Sequence, residues 1–157
     1  FYRLDAADHP ILSLVALAAG VAGFFAAAIG SALLVLNRIS FEQSLLPGIG
    51  GFGLIGLWVL INCALALRGQ TLPRGAALSG LVLAVTPSLI LLATLRVSSV
   101  VAVLNSFADP SSFTGQASPL FYVVVVLGMV SYAGLPLWFV QMGRVFLSGR
   151  VAAIALT

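Results

Sequence analysis

Four stretches of this chain, 11–36, 49–67, 76–95 and 120–143, carry no charged residue, and each has about the length a helix needs to cross a bilayer. At a rise of about 1.5 Å per residue, the run from Ile11 to Leu36 extends about 39 Å, beyond a hydrocarbon core of about 30 Å, so tilt is expected there. Ile49 to Leu67 only just reaches across. The first run is longer than the apolar core of a signal peptide and lacks its basic flank and small-residue cleavage site, so it counts as a span. Of 157 residues, 61% are hydrophobic and 7% charged. Seven arginines and four acids are too few to clothe a water-soluble surface, which leaves lipid as the solvent. The expected fold class is an all-α integral membrane protein, a single domain over 1–157 with four transmembrane helices in an antiparallel bundle.

The connections support that order. Pro10 suits a helix start, and 37–48, closed by Pro47 and Gly48, reads as a polar link between the first two spans. The short link from Arg68 to Gly75 forces the second and third spans into a hairpin. Beyond Arg96 the chain stays apolar, and 97–105 is expected to form an interfacial helix or to extend the third span. A Ser/Pro-rich loop follows, from Ser106 to Pro119. Trp138 falls at a depth suited to an interfacial aromatic belt, and the segment after Gly143 reads as an amphiphilic tail. With four spans, Arg3, Arg68, Arg74, Arg144 and Arg150 share one side and Arg38 and Arg96 the other. The positive-inside rule then places both termini in the cytoplasm.

Several chemistries are excluded by residue type and place. The arginines are scattered at span edges, so they form no contiguous patch for nucleic acid. One cysteine, Cys63, inside a span, permits no internal disulfide and no thiolate metal cluster. One histidine, His9, beside Pro10, cannot supply a bis-histidine haem or a multi-histidine metal site, and fits a helix cap. No nucleophile has a plausible base, so no catalytic residue is assigned and the chain is read as a non-enzyme. Gly48-Ile49-Gly50-Gly51-Phe52-Gly53 matches the dinucleotide glycine pattern by letter, but it opens a span and lacks both the preceding strand and the acid about 20 residues on. No cofactor is expected.

Small residues carry the remaining signal. Ala19, Gly23, Ala27 and Ser31 recur every fourth position of the first span, and Gly50, Gly53 and Gly56 cluster at the start of the second. In lipid such faces let backbones approach, and they are the candidate helix-packing positions. Asn62 is a candidate interhelical polar group, and Pro87 and Pro136 are candidate kinks. Arg96 either snorkels to the headgroups or pairs with a group such as Glu42. The spans are electrically empty, which argues against a proton-coupled transporter working alone. The expected function is a structural or accessory subunit of a larger membrane complex, with the bilayer and other membrane subunits as partners. The alternative is a small oligomeric facilitator or channel.

Overall fold

The computed structural model describes residues 9–94 and 119–148, and every regular element among them is an α-helix. They are α1 (Pro10–Val35), α2 (Phe41–Gly69), α3 (Arg74–Thr94) and α4 (Pro119–Leu147). All four are long and apolar enough to cross a membrane, which marks the chain as a multi-pass membrane protein. Arg3, Arg96, Arg150, segment 97–105, nearly all of the Ser/Pro-rich loop and the tail beyond Ser148 lie outside the described residues.

Each terminus follows from local chemistry. Pro10 occupies the first turn of α1, where its missing N–H is not needed, and the carbonyl of the cap residue His9 accepts from the Ser13 amide at 3.0 Å. At the other end Asn37 takes a left-handed φ of 52°. The Arg38 amide then donates to Leu33 at 2.8 Å and the Asn37 amide to Leu34 at 3.0 Å, the paired bonds of a Schellman stop.

Helix α2 begins at Phe41, well before the apolar run that starts at Ile49. The cause is a capping box: Ser40 Oγ accepts from the Gln43 amide at 3.2 Å, and Gln43 Oε1 accepts from the Ser40 amide at 2.9 Å. The stretch from Phe41 to Gly48, expected as a link, is therefore helical and carries Pro47 within it. α2 ends where Gln70 turns left-handed, and Thr71 donates back to Ala66 at 3.2 Å. Leu72 folds into the core beside Ala76 and Ala77, and the Pro73 carbonyl accepts from both of their amides to start α3. At the far end of the chain, Arg144 to Leu147, expected to open a surface tail, form the last turn of α4.

The helices pack in chain order, α1 on α2, α2 on α3 and α3 on α4, so α2 lies between two neighbours. Between the first two, Gly20, Gly23 and Gly30 of α1 meet Trp58, Gly51 and Pro47 of α2. The outward faces are apolar, with Ile11, Phe25, Val82, Leu89 and Leu137 all exposed. Water would penalise that surface heavily, whereas hydrocarbon accepts it without cost.

Because the Ser40 box sets where α2 begins, Ser40→Ala is expected to lower stability by about 1 kcal/mol. Thermal unfolding in detergent, followed by circular dichroism, reads this as a lower midpoint with fewer helical residues at the start.

Candidate functional site

The chemistry of this chain lies in its helix seams, and in the α1–α2 seam backbone meets backbone. A Cβ built on Gly23 would lie 2.7 Å from the carbonyl oxygen of Gly51, and one on Gly51 would lie 2.7 Å from the carbonyl oxygen of Gly23. Each glycine thus leaves the space that the other helix's backbone fills. Gly20 admits the indole of Trp58, whose Cγ would stand 2.8 Å from an added Cβ, and Gly30 admits the Pro47 ring at 3.1 Å. Ser13, Ala16, Gly20, Gly23 and Gly30 are buried, with Ala27 half-buried, so the seam steps alternately by three and four residues. That spacing drifts only about 20° per seven residues, the pattern of shallow left-handed crossings.

Opposite this seam on α2, Gly53 and Gly56 face α3. An added Cβ would meet Leu91 Cβ at 2.6 Å from Gly53, and Pro87 Cγ at 2.7 Å from Gly56. Further along, Gly80 of α3 sits between two neighbours: its Cβ would be 2.6 Å from Cys63 Sγ on α2 and 2.6 Å from the Trp138 ring on α4. Gly134 receives Leu83 in the same way, at 2.5 Å.

Trp138 departs from its expected place. It is 2% exposed, inside the core, and its Nε1 donates to the Ala76 carbonyl at 2.8 Å. Gly128, Ser131, Leu135, Trp138 and Met142 again alternate by four and three, which turns Trp138 inward with the buried Ser131, Leu135 and Met142 rather than outward to a belt. Rings then tie α4 across to the other helices. Phe139 stacks on Trp58 at 5.8 Å and lies 5.9 Å from Phe24, while Tyr132 stacks on Phe52 at 4.9 Å.

The expected positions fall as follows. Gly23 is buried, Ala19 and Ala27 are half-buried, and Ser31 is exposed. Gly53 and Gly56 lie in the α2–α3 seam, while Gly50 has nothing within 4 Å of an added Cβ. Asn62 is buried and donates from Nδ2 to its own helix, to Trp58 O at 2.7 Å. Pro87 is buried against Gly56; Pro136 is exposed in α4; Arg96 is outside the described residues. Gly80 and Gly134 were not expected among the packing positions, and Pro47 was expected to close a link rather than to sit in a seam.

Polar side chains in the interior are few. Ser88 Oγ donates to Ala84 O at 2.7 Å within its own helix, and Cys63 is a buried free thiol. Ser13 Oγ is buried without a hydrogen-bond partner. Among the described residues no three His, Cys, Asp or Glu side chains come together as metal ligands. The described arginines, Arg38, Arg68, Arg74 and Arg144, are all exposed at or beside helix ends. The chain matches no protein-family model, no curated protein and no solved structure.

The seam makes opposite demands on neighbouring glycines. Gly23→Ala drives a methyl into the Gly51 carbonyl and is expected to cost about 1–3 kcal/mol, as overpacking does. Gly50→Ala meets open space and should be neutral, or stabilising by up to about 1 kcal/mol through helix propensity. Unfolding midpoints of the two variants in the same detergent compare them directly.

Proposed function

We propose that this protein is a non-catalytic structural or accessory subunit of a larger membrane complex, an antiparallel four-helix bundle with both termini in the cytoplasm. The observation that carries this reading is how the bundle interior is used. Asn62 and Ser88 bond to carbonyls of their own helices, and Trp138 bonds to the α3 backbone. Apart from the hydroxyls of Ser13 and Ser131 and the thiol of Cys63, the rest of the described inner surface is glycine, proline, aliphatic and aromatic contact, so the interior chiefly serves packing. Two features support partners beyond lipid. Ala28, Ser31 and Ala32 stay exposed on α1, small enough to admit the backbone of another helix. The charged side chains described stand at helix ends, where they suit topology rather than transport.

A small facilitator or channel would need polar groups aimed at a path, and the turning of Asn62 and Ser88 onto their own helices speaks against it. Purification of the tagged chain from its native membranes in mild detergent is expected to bring other membrane polypeptides in fixed stoichiometry. Recovery of the chain alone, with solute flux in liposomes that contain nothing else, would overturn the proposal in favour of a facilitator. Tags on the two termini should resist protease added outside sealed right-side-out vesicles, and digestion of either would reverse the proposed orientation.

A further inference from the structure

The two ends of the bundle differ in charge. Arg68 stands in the last turn of α2, Arg74 is the first residue of α3, and Arg144 stands in the last turn of α4. The Trp138–Ala76 hydrogen bond holds the late turns of α4 beside the first turn of α3, and residues 70–73 join α2 directly to α3. The three arginines therefore gather at one end, and all three are exposed. At the opposite end Arg38 is the one charged side chain among the described residues.

Helix dipoles account for two of these positions but not for the third. Arg68 and Arg144 complement the negative C-terminal ends of α2 and α4. Arg74 sits at the positive N-terminal end of α3, which has no acidic residue in its first turn, so the helix itself disfavours a cation there. An anion from outside the chain would relieve that repulsion. The ends of membrane-crossing helices lie at headgroup depth, where the anion at hand is a lipid phosphate, and a guanidinium offers it two parallel N–H donors.

We propose that the end of the bundle formed by Arg68, Arg74 and Arg144 is a docking surface for anionic phospholipid headgroups. This goes beyond membership of a complex and stands whether or not partner subunits exist. Its test is the protein in nanodiscs of phosphatidylcholine and phosphatidylglycerol, with retained lipids counted by native mass spectrometry. Basic residues near a surface each favour anionic lipid modestly, so the three together should enrich phosphatidylglycerol about tenfold over its bulk fraction. The variant Arg68→Gln/Arg74→Gln/Arg144→Gln should fall to near parity, Arg74→Gln alone should lose about twofold, and Arg38→Gln should change nothing. Circular dichroism of each variant confirms that the helices are intact, and Arg74→Gln supplies the readout if the triple variant does not fold. Parity in the unmodified chain would overturn the proposal, as would equal loss in Arg38→Gln. Displacement of the lipid by inorganic phosphate would assign the surface to a soluble phosphate instead, and so would also overturn it.

Discussion

Two apolar helices in hydrocarbon gain almost nothing by leaving lipid for each other, so a bundle like this depends on how closely its backbones can approach. Dispersion falls steeply with distance, and removing side chains from a contact is the direct way to shorten it. The reciprocal contact of Gly23 and Gly51, each occupied by the other's carbonyl oxygen, is that solution at its limit. The rest of the architecture follows from having it on both sides of α2. Gly51 opens one face to α1, Gly53 and Gly56 open the other to α3, and α2 becomes the strut on which its neighbours are mounted.

α4 is held by other means. It lies against α3 through Leu83 seated on Gly134 and through Trp138 seated on Gly80, and the indole adds a hydrogen bond to Ala76. A buried indole N–H needs a partner, and Ala76, close to the start of α3, supplies its carbonyl. Phe139 and Tyr132 then reach the aromatic residues of α2 across the bundle. Glycine seams and an aromatic wedge together consume the interior. A protein built this way has its free surface outside, in apolar faces and charged ends, and both the subunit proposal and the headgroup proposal rest on that outward surface.

Much of the fold was legible in the sequence because lipid imposes so simple a requirement: charge-free runs of sufficient length. The run 11–36 sits within one residue of α1 at each end, and the run 76–95 closely tracks α3. The start of α2 was missed because Pro47 and Gly48 look like punctuation, whereas the Ser40 and Gln43 box begins seven residues before Pro47 and decides the start locally. The seams were partly legible. A step of four residues turns about 400°, so the stripe through Ala19, Gly23, Ala27 and Ser31 wanders about 40° per step and leaves the contact by Ser31. The stripe that packs alternates three and four, and shares only Gly23 and Ala27 with it. Trp138 was misplaced for a related reason: depth suggested a belt, but its position in the 128–142 alternation sets the direction of the side chain. Which of Gly50, Gly51 and Gly53 meets a neighbour depends on the rotation of α2, and composition carries no record of that.

The reciprocal glycine contact can be observed directly. In lipid bilayers, magic-angle-spinning NMR of the chain carrying ¹³C-labelled glycine should show a through-space correlation between the Gly23 and Gly51 backbones, absent in Gly23→Ala. A Gly23–Gly51 correlation with none between Gly23 and Gly50 would match the account. A Gly23 backbone without correlation to any residue of α2 would contradict it.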